Sequence, residues 1–370
     1  MKYPGLDLLR ALAIVWVMLF HSFLVGGLGE DYAWLSRYGW MGVDLFFVLS
    51  GFLIGGQVLT GLAQGQRFSF RDFYLRRAFR ILPAFWVVLA IYLLWPGFRE
   101  SEGIEPAWMF LTFTLNLLID YGDRAAFSHA WSLCVEEHFY LLFPLLAWWL
   151  TKRPSVSKFV MVCVTVLLLG IGLRAGVWLY DAAADPSRNW FVEDIYYPTW
   201  NRLDGLLFGV VLATIKAFRP QVWESAQRYA NPALLAGLAV MALSFWLFRD
   251  RVGLLGNAIG WPVLSLGLAL LVFAGASRHS WIGRWRVPGA GWLAAISYSL
   301  YLMHKAIFHV VQAQWGEVLN GTGLLAFCVY GMAAVLAGAA LHYAVERPFL
   351  KLRERLPVSR RATDPSASPA

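Results

Sequence analysis

Ten runs of apolar residues, 16 to 24 residues long, recur along this sequence and are candidates to cross a lipid bilayer as helices. About 20 helical residues span the roughly 30 Å hydrocarbon core, because a helix rises about 1.5 Å per residue. The runs cover residues 8–28, 39–62, 80–96, 131–151, 158–180, 200–218, 233–248, 257–276, 291–313 and 322–345. The 370 residues are 59% hydrophobic and 15% charged, whereas soluble domains have about 25% charged residues. The sequence therefore excludes a soluble enzyme and predicts an all-α integral membrane protein with about ten transmembrane helices.

The charges of the loops predict how these helices are oriented, because cytoplasmic loops are enriched in Lys and Arg. An eleventh apolar stretch, 107–119, has 13 residues, and the count depends on whether it crosses. If it does not cross, 21 Lys and Arg residues lie inside and 7 outside, whereas a crossing gives 11 inside and 17 outside. We therefore predict that both termini are cytoplasmic and that 107–119 is a short re-entrant or interfacial helix. The net charge of +8 then belongs to cytoplasmic loops rather than to a nucleic-acid-binding surface.

The sequence also predicts a simple domain organisation. Residues 1–350 form one transmembrane domain, and residues 351–370 form a tail that is first basic and then rich in Pro, Ser and Ala, which is typical of disorder. The three cysteines, Cys134, Cys163 and Cys328, lie singly in apolar runs. Their spacing therefore indicates neither a disulfide framework nor a metal site.

Ionisable side chains inside the apolar runs are the first candidates for function. Each costs at least about 2.5–3.5 kcal/mol to insert into a membrane. Arg10 and His21 are eleven residues apart, which places them on one face of a helix and about 16.5 Å apart along its axis. His21 lies in the outer half of its run. The other titratable side chains expected at its depth, or at the outer mouth, are Asp44, Glu136, His304 and Asp204.

Each of these residues also has a plainer structural explanation. His304 could hydrogen-bond a neighbouring helix, and Asp44 could bridge two helices. Arg10 could be an interfacial anchor that reaches water. The two glutamates at the start of the fourth run could lie at the surface if that helix begins later. None of these explanations accounts for His21 on the face of Arg10 and at the depth of several carboxylates.

A second candidate site is the basic segment 71–83, which reads RDFYLRRAFRILP. Arg77 and Arg80 are spaced i,i+3 and share a helix face. Several arginines beside a membrane helix are typical of a cytoplasmic loop. Guanidinium groups interleaved with Phe and Tyr also suit a polyphosphate, which they bind in a bidentate manner. The sequence alone leaves both interpretations open.

Taken in order, seven segments of the sequence resemble membrane-bound acyltransferase family 3. They are GLDLLRALAIVWVMLFHS, GWMGVDLFFVLSGFLIG, FYLRRAFRILPAFW, HAWSLCVEEHFYLLFP, RLDGLLFGVVLA, ISYSLYLMH and ERPF. The resemblance covers about residues 5–350, with Cys134 where the family usually has Ser and His138 where it usually has Gln. It is to the stand-alone type, which lacks the C-terminal esterase-like domain of some members.

The resemblance implies an O-acyltransferase of the bacterial inner membrane. Its co-substrate is cytoplasmic acyl-CoA, most often acetyl-CoA, with no permanently bound cofactor. The acceptor is a hydroxyl of an extracytoplasmic carbohydrate, such as O-antigen, capsule or exopolysaccharide. Arg10, Arg77 and Arg80 would bind the donor.

In this scheme His21 would be the catalytic base or a covalent nucleophile, and the sequence does not separate the two. Glu136 or Asp44 would fix its tautomer, as a carboxylate does in Ser-His-Asp systems. The residues expected to bind the acceptor or support the site are Trp131, Ser132, Glu137, Tyr140, Arg202, Asp204 and His304. The alternatives are acylation of a small natural product such as a macrolide, or transport of a lipid-linked sugar without catalysis.

Overall fold

A computed structural model describes residues 3–66, 68–181, 189–319 and 321–355. Within these ranges ten long helices coincide with the ten predicted transmembrane segments, and we number them α1 to α10 in chain order. They are α1 Pro4–Phe20, α2 Met41–Ala63, α3 Phe70–Leu94, α4 Trp131–Lys152, α5 Val156–Asp181, α6 Leu203–Phe218, α7 Ala230–Leu247, α8 Trp261–Gly275, α9 Ala290–Leu319 and α10 Leu324–Leu341. The prediction of an all-α membrane protein is confirmed.

Not all ten helices are equally apolar. Across the described ranges, eight are long and apolar enough to cross a membrane, and a ninth qualifies if α6 is joined to Pro220–Gln227 across a bend of 110°. α9 falls outside this set because serines, tyrosines and the adjacent His304 and Lys305 interrupt its apolar residues. The number of crossings and the cytoplasmic termini therefore stay predictions. Of the predicted tail, residues up to Arg355 are helical, and residues 356–370 lie outside the described ranges.

Two helix ends differ from the apolar runs in ways that matter for function. α3 begins ten residues before its run, because the basic segment continues the helix and Ser69 caps it by accepting from the Asp72 backbone amide at 3.3 Å. α1 ends earlier than its run does. His21 begins a 3₁₀ turn, His21–Val25, which Gly26 closes with φ of 83°. His21 thus lies on a turn at the end of α1 rather than inside a continuous helix.

Segment 107–119 is broken into two short helices, Ala107–Leu111 and Leu115–Leu118. Phe113 lies between them with a positive φ of 55°, a conformation that a bulky side chain rarely adopts. The two flanks of the segment meet in a β-bridge between Ile104 and Ala126, where the Ala126 amide donates to the Gly103 carbonyl at 2.9 Å. The segment therefore leaves and returns on the same side of the helix bundle.

Small residues allow α2 and α6 to pack backbone against backbone. Gly51 of α2 faces the carbonyl of Leu206, and Gly209 of α6 faces the carbonyl of Val48. Gly205 and Gly209 form a GxxxG motif, the pattern that lets membrane helices approach closely. α1 lies between α2, α8 and α9, while α9 pairs with α10 and α7 with α8.

α5 is the most peripheral helix, and a buried ion pair attaches it to the bundle. Only Gly170 and Arg174 of this helix are buried. The Arg174 guanidinium donates to Asp204 at 2.8 Å and to the carbonyl of Asn201 at 2.8 Å. Asp204, which the sequence placed among the supporting site residues, therefore holds a helix in place.

Candidate active site

A cavity of about 740 Å³ enters the bundle at the end where α1 and α9 begin. We call it the main cavity. Three arginines line its mouth, namely Arg10 of α1 and Arg77 and Arg80 of α3. Its inner end reaches Ser132 of α4 and Tyr301 of α9. The three arginines predicted from two distant sequence segments therefore share one opening.

Arg80 is fixed in this mouth by a buried carboxylate. Its Nη1 lies 3.0 Å from Oε1 of Glu346, whose side chain is fully buried. The other carboxylate oxygen, Oε2, accepts from Ser299 at 2.8 Å and lies 2.8 Å from Nδ1 of His342. Glu346 belongs to the ERPF segment, which the sequence placed in the family pattern without giving it a role.

Glu136 lines the main cavity rather than contacting His21. Its Oε1 accepts from Ser50 at 2.7 Å and its Oε2 from the Tyr140 hydroxyl at 2.9 Å. Arg77 lies over the Tyr140 ring, with 5.6 Å between its Cζ and the ring centroid. Glu137 lines the same cavity. The expected contact from Glu136 to His21 is therefore corrected, because hydroxyl groups of α2 and α4 occupy both carboxylate oxygens.

Asp44, the other carboxylate expected beside His21, is an ion-pair partner of Arg202. Arg202 Nη2 donates to Asp44 Oδ1 at 2.9 Å, and both side chains are buried. The Arg202 guanidinium lies 3.6 Å from the ring centroid of Trp261 and 5.3 Å from that of Trp131. Such cation–π contacts stabilise a charge that has lost its water. Asp44, Arg202 and Trp131 thus form a structural cluster between α2, α4, α6 and α8.

The group that contacts His21 is a second histidine. His304 Nε2 lies 3.0 Å from His21 Nδ1, which is also 3.0 Å from the carbonyl of Val17. His304 Nδ1 lies 2.7 Å from the Tyr301 carbonyl, which can only accept, so this nitrogen carries the proton. In a neutral His304 ring, Nε2 then accepts from His21 Nδ1. The network therefore leaves the lone pair of His21 Nε2 available.

A pair of hydroxyl groups lies between the main cavity and these imidazoles. The hydroxyl groups of Tyr301 and Ser132 lie 2.7 Å apart and share a hydrogen bond, and both are within hydrogen-bonding distance of the His129 carbonyl, at 2.9 Å and 3.3 Å. The ring centroids of Tyr301 and His304 are 5.6 Å apart. The Tyr301 side chain therefore separates the inner end of the cavity from His304.

Comparison with known proteins places the chain in a family. The family model of acyltransferase family 3, described as an acyltransferase domain, matches residues 3–343. The chain belongs to this family. The resemblance to this family is thereby confirmed, with six of the seven segments inside the matched residues and ERPF just beyond them.

Two relatives illustrate the family. The peptidoglycan O-acetyltransferase OatA of Listeria monocytogenes is 28% identical over 337 residues, covering 83% of this chain and 49% of the relative. The O-acetyltransferase OatA of Staphylococcus aureus is 27% identical over 328 residues, covering 84% and 51%. The chain spans about half the length of these curated relatives. No solved structure matches it.

Three buried residues beside the paired imidazoles were missed as site residues by the sequence reasoning. Lys305 Nζ lies 2.8 Å from Glu100 Oε1 and 3.2 Å from Ser128 Oγ. His129 Nδ1 lies 3.8 Å from the same Glu100 oxygen, and the ring centroids of His129 and His304 are 5.1 Å apart. One feature of the sequence could have indicated the pair of Lys305 and Glu100. Lys305, adjacent to His304, needs a carboxylate partner inside a membrane, and Glu100 lies in an acidic loop at that end.

Proposed function

We propose that this protein is a membrane O-acetyltransferase. It transfers an acetyl group from acetyl-CoA, entering at the arginine-lined mouth, to a hydroxyl group of an extracytoplasmic glycan. The observation that carries the proposal is the free Nε2 of His21, just beyond the inner end of a cavity whose mouth is lined by three arginines. His304 contacts the other ring nitrogen of His21, Nδ1. Membership of an acyltransferase family favours group transfer over transport.

The named relatives guide the choice of acceptor. One of them is a peptidoglycan O-acetyltransferase, so a peptidoglycan-type glycan is the first acceptor to test. Other extracytoplasmic polysaccharides share the required chemistry, which is a sugar hydroxyl that can attack a thioester. The acceptor approaches from the end where Glu100 and the turn His21–Val25 lie, opposite the arginines.

The donor lies along the main cavity in this proposal. Arg10, Arg77 and Arg80 attract its phosphates at the mouth, because guanidinium groups bind phosphate oxygens in a bidentate manner. The narrow pantetheine arm follows the cavity inward. The thioester passes the hydroxyl pair of Ser132 and Tyr301 to reach His21. The charged head stays at the basic end, since burying it in hydrocarbon costs far more than burying the arm.

The chemical step is base-catalysed acyl transfer. The acceptor hydroxyl oxygen attacks the thioester carbonyl carbon as His21 Nε2 removes the hydroxyl proton. The carbon–sulfur bond then breaks, and His21 returns the proton to the departing CoA sulfur. The products are the acetyl ester and CoA thiol. The contacts of His21 Nδ1 with His304 Nε2 and the Val17 carbonyl stabilise the imidazolium that forms between the two steps.

The test is transfer of labelled acetyl from acetyl-CoA to a muramyl oligosaccharide by the purified protein in lipid nanodiscs. We expect an acetyl ester on the glycan with the native protein. His21→Ala should lower the rate by about 10²–10⁴-fold without changing thermal stability. Full activity in a well-folded His21→Ala protein would contradict the site. Protein given donor but no acceptor should stay unlabelled, whereas an acid-labile acetyl group on the native protein would make His21 a covalent nucleophile.

A further inference from the structure

The main cavity does not have the charge that its proposed ligand requires. Its three arginines are matched by three carboxylates in the same lining, namely Asp7, Glu136 and Glu137. Arg80 is in addition paired with Glu346. The nucleotide head of CoA carries a diphosphate and a phosphomonoester, together about four negative charges near neutral pH. An excess of positive charge is therefore needed near this mouth.

A second cavity of about 670 Å³ provides that excess. It shares Asp7 and Gly291 with the lining of the main cavity, so the two cavities are adjacent. Three further arginines, Arg278, Arg284 and Arg286, line it. With Asp7 as its acidic lining residue, the formal charge of the second cavity is +2. Arginines are expected in any cytoplasmic loop, but that expectation does not explain why these three line one cavity.

The loop that carries these arginines is held firmly in place. The hydroxyl of Ser280, fully buried, donates to the Ala274 carbonyl at 2.5 Å and accepts from the Gly283 amide at 2.8 Å. Gly5 at the start of α1 packs directly on this loop. A Cβ atom on Gly5 would lie 2.8 Å from the Gly283 Cα and 2.5 Å from the Gly275 carbonyl oxygen. The arginines therefore project from a fixed turn beside the mouth of the main cavity.

We propose that the second cavity binds phosphate groups of the donor's nucleotide head together with the arginines at the mouth of the main cavity, while the acyl-pantetheine arm lies inside the main cavity. The proposal rests on the proposed function, because it assigns a subsite to the acyl-CoA of that reaction. Arg278, Arg284 and Arg286 are the additional phosphate ligands that this cavity supplies. Arginine suits this role because its planar fork matches phosphate oxygens. An anionic lipid headgroup has the same chemistry and is the competing occupant.

The experiment measures donor affinity in neutral phosphatidylcholine nanodiscs for Arg278→Gln, Arg284→Gln, Arg286→Gln and the triple variant. Arg153→Gln is the matched control, because Arg153 is an exposed arginine at the end of α4 that lines neither cavity. Two donors are compared: acetyl-CoA, and S-acetyl-pantetheine, which has no phosphate. Thermal unfolding is recorded for every protein.

We expect each single variant to weaken acetyl-CoA binding by about tenfold to hundredfold, the usual effect of losing one charge-assisted contact. The use of S-acetyl-pantetheine should be unchanged, and Arg153→Gln should bind both donors as the native protein does. A third donor, acetyl-CoA without its 3′-phosphate, then identifies which phosphate each arginine contacts. A variant whose arginine contacts the 3′-phosphate should bind this donor as tightly as the native protein does.

Three results would overturn the proposal. If the triple variant binds acetyl-CoA with native affinity, these arginines only mark the loop as cytoplasmic and do not bind the donor. An equal loss with both donors would show a structural role. An effect that arises only when phosphatidylglycerol is added would assign the cavity to lipid. If the native protein itself neither binds nor uses acetyl-CoA, the proposed function fails. If the native protein is active and the triple variant binds acetyl-CoA equally well, only the proposed subsite fails.

Discussion

The contacts of His21 Nδ1 with His304 and with the Val17 carbonyl determine which nitrogen of His21 can act as a base. His304→Phe keeps a ring of similar size but removes the acceptor for His21 Nδ1–H. The Val17 carbonyl, 3.0 Å away, still accepts from that nitrogen. We therefore expect kcat to fall by less than the roughly 10²–10⁴-fold cost of losing a general base, with little change in the donor KM. Steady-state kinetics with acetyl-CoA measures both constants.

The matched variant is His304→Gln, whose amide oxygen can accept the same proton. Its kcat should exceed that of His304→Phe at equal protein stability. If the two variants have equal rates, His304 packs against His21 without orienting it, and the tautomer is set by Val17 alone.

Arg80 has a structural role as well as a proposed binding role, and the two can be separated. Arg80→Gln leaves Glu346 buried without its cation, and breaking a buried ion pair costs about 3–5 kcal/mol. The double variant Arg80→Gln/Glu346→Gln removes both charges and should recover most of that stability in thermal unfolding. Donor affinity should stay about tenfold to hundredfold weaker in both proteins.

Arg77→Gln is the companion variant, since Arg77 lies over the Tyr140 ring in the same mouth. It should weaken acetyl-CoA binding with less loss of stability than Arg80→Gln alone. Native donor affinity in the double variant and in Arg77→Gln would show that neither Arg77 nor Arg80 holds the donor.

At the scale of helices, the close approach of α2 and α6 depends on glycine. In Gly209→Ala the new Cβ would collide with the Val48 carbonyl of α2, and overpacking of this kind costs about 1–3 kcal/mol. Gly56→Ala on α2 is the control, because its Cβ would meet its nearest neighbour, the Ala213 Cβ, at 4.0 Å. We expect a lower Tm for Gly209→Ala and an unchanged or higher Tm for Gly56→Ala. Equal Tm values would mean that the two helices separate at no cost.

The helices themselves were predictable from the sequence, whereas their contacts were not. Apolar runs predict where a membrane helix lies because about 20 residues must be apolar in any bilayer. They do not predict a polar helical extension, which is why α3 begins at Phe70 rather than at residue 80. Nor do they specify that Glu346 meets Arg80, or that Asp44 meets Arg202 instead of His21. Such pairs depend on the rotation and neighbours of each helix, and no local pattern encodes these.

For the whole molecule, the arrangement of charge is consistent with a reaction whose two substrates enter from opposite ends. The mouth of the main cavity is lined by arginines, and His21 lies beyond the cavity's inner end. Between them, the Ser132–Tyr301 hydroxyl pair separates the cavity from the imidazoles. This geometry supports acyl transfer only if the ends of the bundle face opposite sides of the membrane. The segment 107–119 matters here because a crossing by this segment would invert every helix that follows it.

The β-bridge that closes segment 107–119 predicts the outcome of a topology experiment. Because the Ala126 amide donates to the Gly103 carbonyl at 2.9 Å, the two flanks of the segment must lie on one side of a bilayer roughly 30 Å thick. A reporter fused after Glu102 and one fused after Gly122 should therefore both report the outer face. A third fusion after Arg153 should report the cytoplasm, and it would report the outer face if the segment crossed. Opposite results at Glu102 and Gly122 would mean that the segment crosses, and every helix after it would then be inverted. The free Nε2 of His21 and the carboxylates of α4 would no longer share one transmembrane path.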